Sequence, residues 1–357
     1  MFPEVGDADA ELHGPFFSTA LFNGSAPTCT QTLLCDRHRT IRPVSMDYIR
    51  LGRTGPKVSA IGMGAWQASG SQWGDDVNDE LIILAIGRSL ELGVNLIDTA
   101  ELYGDGHSES VVGEALKRYG RDNFVVATKF HGGHLHYDDV LKACDESLKR
   151  LGISQIDVYQ MHWTDPWEQV PLKETMRAMT KLYREGKIGH VAVSNFAVRD
   201  LEEARALLDG IEVVSNQVRY NMLQREIEEE VLPYCLKSGI TVLAWSPLAQ
   251  GVLTGKYGPG KVPSDRVRSR NKLFSEGNLR QAQKLLKVLR EIAEERAKTV
   301  GQVALNWLTR SPGVVPIPGA KNPQQAEENA GAVGWRLTSG ELTRIELALR
   351  EVKISYF

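Results

Sequence analysis

The sequence lacks the features that mark a membrane protein, a disulfide-rich protein or a nucleic-acid-binding protein. No apolar run in its 357 residues approaches the roughly 18 residues that a transmembrane helix needs. Its four cysteines are widely spread and form no Cys-x-x-Cys pair, which argues against a zinc ribbon or a disulfide framework and predicts a reducing, cytoplasmic environment. With 42 Lys and Arg against 45 Asp and Glu, the net charge of −3 predicts no nucleic-acid partner and no membrane partner.

Two common cofactor signals are also missing or incomplete. No Gly-x-Gly-x-x-Gly follows any predicted strand, so the Rossmann fingerprint is absent. The segment that begins at Gly255 matches the start of a P-loop, but Val262 stands where Ser or Thr is required. The one metal-like cluster in the sequence is His131, His134 and His136, which lacks converging carboxylates. We interpret it as a polar loop and predict no bound metal.

Residues 1–45 differ from the rest of the chain. They show no hydrophobic period, and their early acidic residues contradict a signal or transit peptide. This composition predicts a disordered extension or an over-called start upstream of Met46, with a regulatory tail as the alternative. Residues 46–357 are then expected to form a single domain.

From about residue 57 onward, short apolar runs alternate with longer amphipathic segments. The apolar runs are rich in Val and Ile, which is typical of buried parallel strands. They are Val58–Trp66, Asn95–Thr99, Phe124–Phe130, Ile156–Trp163, Ile188–Phe196, Val213–Val218, Thr241–Pro247 and Val314–Gly319. The predicted helices between them include Asp79–Leu92, Ser108–Tyr119, Tyr137–Leu151, Leu172–Glu185 and Leu201–Leu208.

Eight strands that each feed a helix predict an α/β fold of the (β/α)8 TIM-barrel type, with a doubly wound open sheet as the alternative. Tyr48–Ser59 predicts an N-terminal β-hairpin before the first barrel strand. Gly255–Gly277 forms a long polar insertion after strand 7, and loops of this length are usually functional lids.

Polar side chains at the ends of three consecutive predicted strands form a candidate catalytic set. Asp98 ends the second strand and Tyr103 follows it, while Lys129 and His162 end the third and fourth. Chemistry in a β/α barrel occurs at the carboxyl ends of the strands, so these four side chains are expected to meet. Lys129 is expected to lower the pKa of Tyr103 toward the working range, and Asp98 to orient Lys129. His162 would bind a carbonyl oxygen. The set contains no electron source, so a hydride donor must be bound as cofactor.

The segment Asn95–Gly104, which reads Asn-Leu-Ile-Asp-Thr-Ala-Glu-Leu-Tyr-Gly, resembles the signature of the aldo-keto reductase superfamily. The match continues at Lys129 and His162 and in the motifs Ala192–Phe196, Ala244–Leu248 and Ile317–Lys321. The resemblance covers nearly everything from Met46 onward. It is strongest to general NADPH-dependent aldo/keto reductases, which also resemble potassium-channel β subunits.

The resemblance implies NADPH/NADP+ as cofactor and assigns its binding residues. Those matching the nicotinamide site are Ser194, Asn195 and Gln217 for the carboxamide and Trp245 for ring stacking. Those near the pyrophosphate are Ser246, Pro247, Leu248, Gly251 and Lys256, with Arg268 of the insertion closing over it. Those matching the adenosine end are Gly319, Lys321, Gln325, Glu328 and Asn329.

The leading hypothesis is therefore an NADPH-dependent oxidoreductase that reduces aldehydes and ketones to alcohols, with Tyr103 as general acid. The alternatives are an NADPH-binding redox-sensing or regulatory subunit with slow turnover and, third, a metal-dependent hydrolase. Candidate substrate residues are Trp66, His131 and Trp163. An aromatic wall favours small apolar or aromatic carbonyls, although the tryptophans could equally serve packing.

Overall fold

The computed structural model describes residues 45–70 and 77–356, and eight parallel strands form its centre. The predicted N-terminal extension lies outside the described residues. The eight strands stand side by side in chain order. Their bounds are Met63–Gly64 (β3), Leu96–Asp98 (β4), Val125–Phe130 (β5), Ile156–Met161 (β6), Ile188–Ser194 (β7), Val213–Arg219 (β8), Thr241–Trp245 (β9) and Val314–Pro316 (β10).

The first and last strands meet, so the sheet closes into a barrel. A parallel bridge joins Gly64 to Gly319. The backbone N–H of Gly62 donates to the carbonyl of Pro316 at 2.9 Å, and that of Gly64 donates to the carbonyl of Pro318 at 3.0 Å. The prediction of a (β/α)8 barrel is confirmed.

The predicted N-terminal hairpin is present and covers the amino-terminal end of the barrel. It pairs β1 (Tyr48–Arg50) with β2 (Lys57–Ser59) in antiparallel register. Its side chains Leu51 and Val58 belong to the same apolar cluster as the inward-facing residues of the barrel strands. The predicted run Val58–Trp66 is wrong as a single strand, because it divides between β2 of the hairpin and the two-residue β3.

Ten α-helices are found among the described residues. They are α1 (Asp79–Glu91), α2 (His107–Tyr119), α3 (Tyr137–Leu151), α4 (Leu172–Arg184), α5 (Val198–Leu207), α6 (Val231–Ser238), α7 (Glu276–Arg296), α8 (Val300–Leu308), α9 (Pro323–Ala330) and α10 (Ser339–Arg350). The predicted insertion after the seventh barrel strand is real but shorter than expected, since α7 begins at Glu276 with Ser275 as its N-cap.

The alternation of side chains along the strands turns the polar residues at the strand ends toward the barrel interior. Leu96, Val125 and Val158 pack in the interior apolar cluster. The side chains of a strand alternate between its two faces, so Asp98, two residues after Leu96, shares the inward face. Lys129 lies four residues after Val125, and His162 four residues after Val158. The interior is thus apolar at depth and charged at the carboxyl ends.

Candidate active site

Three of the four predicted catalytic side chains form a continuous chain of contacts. The Nζ atom of Lys129 lies 2.7 Å from Oδ2 of Asp98, 2.8 Å from the carbonyl oxygen of Thr99 and 3.3 Å from the hydroxyl of Tyr103. The Lys129 side chain is 0% exposed and that of Asp98 is 3% exposed. A buried ammonium with three oxygen partners at these distances has all three of its donors satisfied.

Burial and charge together set the protonation states of Lys129 and Tyr103. Burial opposes the charged form of Lys129, but the attraction of Asp98 and Tyr103 outweighs it and raises the pKa of Lys129. Burial raises the pKa of Tyr103, Lys129 lowers it and Asp98 raises it, and the result lies above the ordinary value. The expected lowering of the Tyr103 pKa toward neutrality is therefore wrong for this structure, because burial and Asp98 outweigh the lysine. Tyr103 is a protonated phenol at neutral pH.

His162 lies beside Tyr103 and is uncharged. The two rings meet edge to face, with centroids 5.9 Å apart. Burial, the Lys129 cation and His131 together lower the pKa of His162 to about 3. Its Nδ1 atom is buried and has no hydrogen-bond partner among the described residues. A neutral imidazole keeps one donor and one acceptor nitrogen, so it can contact a polar ligand without adding charge.

Two buried amides complete the surroundings of Asp98, and sequence reasoning missed one of them. Gln160 Nε2 donates to Asp98 Oδ1 at 3.1 Å, and Gln217 Nε2 donates to the same oxygen at 2.7 Å. Gln217 Nε2 also donates to Gln160 Oε1 at 3.2 Å. Both amide N–H groups of Gln217 are thus engaged within the protein, which leaves its carbonyl oxygen for a ligand. The inward position of Gln160, two residues after Val158, is the signal that could have revealed it.

The Asp98–Lys129–Tyr103 chain of contacts, called the charge chain below, opens into a cavity of about 1510 Å³ at the carboxyl ends of the strands. All fifteen residues predicted for the cofactor line it, together with Asp98, Tyr103 and His162: Ser194, Asn195, Gln217, Trp245, Ser246, Pro247, Leu248, Gly251, Lys256, Arg268, Gly319, Lys321, Gln325, Glu328 and Asn329. Gln67 and Ser69, which the sequence reasoning did not select, line it as well.

Two of the three predicted substrate residues also line the cavity. The ring of Trp66 stacks on that of Tyr103 at 5.9 Å, and the ring of Trp163 stacks along His162 at 6.2 Å. His131 is not among the lining residues. Its backbone N–H donates to Glu101 at 2.8 Å, and the same carboxylate contacts His134 at 3.0 Å. Within the described part of the chain, no group of three or more His, Cys, Asp or Glu side chains is arranged to hold a metal ion.

One side of the cavity presents a flat ring and a polar pair. Trp245 Nε1 donates to Asn195 Oδ1 at 3.1 Å, which fixes the indole. Asn195 Nδ2 donates to the carbonyl of His162 and to Ser194 Oγ, both at 3.0 Å. The nicotinamide-site residues of the prediction are therefore held in one hydrogen-bonded group.

The loop after β9 lines the cavity with residues in left-handed backbone conformations. Ser246, Gln250 and Gly251 have φ values of 50°, 53° and 103° and line the cavity. Lys256 and Arg268 line the same region, and Arg268 is held by Asp265 at 2.6 Å.

The opposite end of the cavity is built on α9. Its N-cap Asn322 accepts from the backbone N–H of Gln325 at 3.0 Å, and Gln325 Oε1 accepts from that of Lys321 at 2.9 Å. Asn329 Nδ2 donates to the carbonyl of Gly319 at 3.1 Å. The start of a helix attracts negative charge, and Lys321 adds a cation there. A closed β/α barrel with the Asp98–Lys129–Tyr103 contacts beside a long, partly cationic cavity at the carboxyl ends of its strands is typical of barrel enzymes.

Comparisons with known proteins agree with this architecture. The model of the aldo/keto reductase family matches residues 60–350. Aldo-keto reductase YhdN of Bacillus subtilis is 35% identical over 318 residues, which cover 85% of this chain and 94% of the relative. The glycerol dehydrogenase of Gluconobacter oxydans superposes with a TM-score of 0.78 at 31% identity, over 87% of this chain and 97% of the other.

A second similar structure was solved with a ligand. It is an aldo/keto reductase from Klebsiella pneumoniae in complex with NADP and acetate, 30% identical, with a TM-score of 0.66 over 84% of this chain and 95% of the other. The chain therefore belongs to the aldo/keto reductase family, a family of oxidoreductases.

Proposed function

We propose that this protein reduces aldehydes and ketones to alcohols with NADPH and uses Tyr103 as the proton donor. The observation that carries the proposal is the joining of two features in one cavity. The Asp98–Lys129–Tyr103 chain and His162 can bind and protonate a carbonyl, and the residues predicted for the cofactor line the same space. General acids of this kind must lie within hydrogen-bond reach of the oxygen that they protonate.

The lining residues fit a nicotinamide dinucleotide. Trp245 offers a flat aromatic face, and Ser194 and Asn195 offer hydroxyl and amide groups beside it. Lys256 and Arg268, which line the cavity with the loop after β9, suit the pyrophosphate, and Lys321 at the start of α9 suits a further phosphate. The NADP that occupies the Klebsiella relative supports the same assignment.

When bound, NADPH would supply the hydride. The hydroxyl of Tyr103 donates its proton to the carbonyl oxygen as negative charge develops there. Lys129, at 3.3 Å, stabilises the phenolate that remains, and Asp98 holds the ammonium in place at 2.7 Å. His162, neutral because of its lowered pKa, orients the carbonyl without competing for its charge. The buried site strengthens each of these interactions relative to water.

The substrate side favours a flat, apolar carbonyl compound. Trp66 and Trp163 lie against the two polar groups that would hold the carbonyl, Tyr103 and His162. Stacked aromatic faces contribute area and orientation with little polar selectivity. We infer that aromatic aldehydes are better substrates than small sugars.

The proposal includes a cytoplasmic location. Cys144 and Cys235 are free, buried thiols. Burial raises the pKa of Cys144 to about 12 and that of Cys235 to about 11, so both thiols stay protonated and unreactive at neutral pH. Free thiols of this kind are typical of a reducing compartment.

NADPH oxidation across a panel of aldehydes, ketones and sugars tests the proposal. In Tyr103→Phe we expect turnover to fall about 10²–10⁴-fold, the usual contribution of a general acid. NADPH affinity, measured by fluorescence titration of the same variant, should stay within about twofold, because the phenol belongs to the charge chain and is not among the residues predicted for the cofactor. Unchanged turnover in Tyr103→Phe would contradict the mechanism. Tight NADPH binding without turnover of any carbonyl would favour a redox-sensing or regulatory subunit.

A further inference from the structure

One contact of the charge chain comes from a residue that the mechanism above does not use. Gln160 lies on β6 and is 0% exposed. Its amide nitrogen donates to Oδ1 of Asp98, while Oδ2 of the same carboxylate accepts from Lys129. The two oxygens of Asp98 are thereby divided between the amide pair on one side and the cation on the other.

This division fixes the carboxylate. An ionised carboxylate offers about four lone-pair sites and can present either oxygen, or both, to a cation. Gln160 and Gln217 together restrict that freedom by donating to Oδ1, and Oε1 of Gln160 accepts from Gln217 at 3.2 Å, which orients the second amide. We propose that Gln160 is a positioning residue for the proton donor, acting on Tyr103 through Asp98 and Lys129. The proposal rests on the proposed function.

The direction of the effect follows from the groups that face Tyr103. These are Lys129 of β5, Asp98 of β4 and His162 of β6. Burial raises the pKa of Tyr103, Lys129 lowers it, and Asp98 raises it. The amide N–H groups offset part of the Asp98 charge, so their loss leaves more of that charge acting on the phenol. Without Gln160, Tyr103 should be a weaker acid.

Gln160→Met removes the amide and keeps the length of the side chain. We expect kcat to fall about 3- to 10-fold and KM for NADPH to change less than kcat, because Gln217, which Oε1 of Gln160 orients, keeps its shorter hydrogen bond to Oδ1 of Asp98 at 2.7 Å. The alkaline limb of the pH profile of kcat should move to higher pH.

Tyr159→Phe is the matched control. Tyr159 is the neighbouring residue on the same strand, and its ring packs against Phe130 outside the barrel interior. Its hydroxyl is buried and has no hydrogen-bond partner in the part of the chain that the structure describes. The control should change neither kcat nor the pH profile, and both variants are compared with the wild type by thermal unfolding.

Gln160→Glu separates positioning from packing. A protonated carboxyl can donate to Asp98 as the amide does, whereas an ionised one repels it. We therefore expect kcat near the wild-type value at the acid end of the profile and a steep loss as the pH rises. A Gln160→Glu profile parallel to that of the wild type would contradict the proposal.

A measurement without catalysis distinguishes failure of this inference from failure of the proposed function. Tyrosine labelled with ¹³C in the full chain gives a titration for Tyr103, assigned by its absence in Tyr103→Phe. In Gln160→Met that titration should move to higher pH. An unmoved titration would overturn the positioning role even if the enzyme is active. A moved titration in a protein that oxidises no NADPH would support it while refuting the carbonyl-reductase proposal.

Discussion

Lys321 is the residue on which the choice between NADPH and NADH is expected to depend. It lines the cavity at the start of α9, and the two cofactors differ by one phosphate. A charge-assisted contact is worth about 1.5–3 kcal/mol, so Lys321→Ala should weaken NADPH binding at least about tenfold more than NADH binding. Binding titrations with both cofactors measure the ratio.

Lys298→Ala provides the control for Lys321. Its Nζ lies 3.3 Å from the carbonyl of Gly331 at the other end of α9, so the same charge is lost near the same helix. The ratio of the two affinities should stay at the wild-type value. Equal losses of affinity for NADPH and NADH in Lys321→Ala would show that Lys321 does not bind the additional phosphate of NADPH.

His162 should make the protein less stable in acid. Its pKa is about 3 in the folded protein and about 6.5 in an unfolded chain. Between these values the unfolded chain binds a proton that the folded chain does not, so stability rises with pH across this window and is lost as the pH falls. His162→Asn should remove about one proton, or roughly 1.4 kcal/mol per pH unit, from the slope of unfolding free energy against pH. Urea unfolding at several pH values gives the slope, and an unchanged slope would contradict the assignment.

The ionisable members of the site could be predicted from the sequence because they stand at the ends of apolar strands. Asp98, Lys129 and His162 each end a run of buried residues, and barrel geometry brings such ends together. The pKa of Tyr103 could not be predicted, since it depends on the balance of burial, Lys129 and Asp98 at distances that only the fold supplies. Gln160 was missed because a neutral amide on a strand looks like any other polar residue.

At the scale of elements, Gly113 controls how closely α2 approaches α3. A Cβ atom at this position would lie 2.7 Å from the carbonyl oxygen of Arg150 and 2.9 Å from that of Leu151. Both contacts are with backbone, so a helix must move to make room. Gly113→Ala should therefore destabilise the protein by about 1–3 kcal/mol, as overpacking typically does.

Gly340→Ala is the counterpart of that substitution. Gly340 is exposed in α10, and a Cβ atom there meets nothing within 4 Å. Alanine is a better helix former, so this variant should be neutral or more stable by up to about 1 kcal/mol. Chemical unfolding of both variants measures the difference, and equal effects would refute the packing argument.

Element boundaries were harder to predict than element order. The apolar pattern gave the eight strands in sequence, but β3 is only Met63–Gly64, because the preceding residues turn out of the hairpin. The polar insertion after β9 ends earlier than its composition suggests, since Ser275 caps α7. Caps and turns are decided by local hydrogen bonds, which hydrophobic periodicity does not register.

For the whole molecule, we propose that residues 46–357 contain everything that folding and activity require. The first described residues already pack on the barrel: Tyr48 donates to the carbonyl of Gly93 at 2.9 Å, and Asp47 pairs with Arg336 at 2.8 Å. A chain that starts at Met46 should keep the melting temperature and the NADPH-oxidation rate of the full chain. Aggregation or loss of activity would show that residues 1–45 are needed. Over the described residues, no helix combines the length and the apolar character needed to cross a membrane.

The closure of the barrel also sets an order of events during synthesis. Gly64 and Gly319 form the bridge that completes the ring, although about 250 residues separate them in the chain. Both glycines line the cavity. On the ribosome, β3 therefore emerges long before the strand that it must meet. The ring of strands stays open, and the cavity incomplete, until β10 has left the exit tunnel. Contacts between such distant segments form slowly, so the cavity should be completed, and its ligand bound, only late in folding.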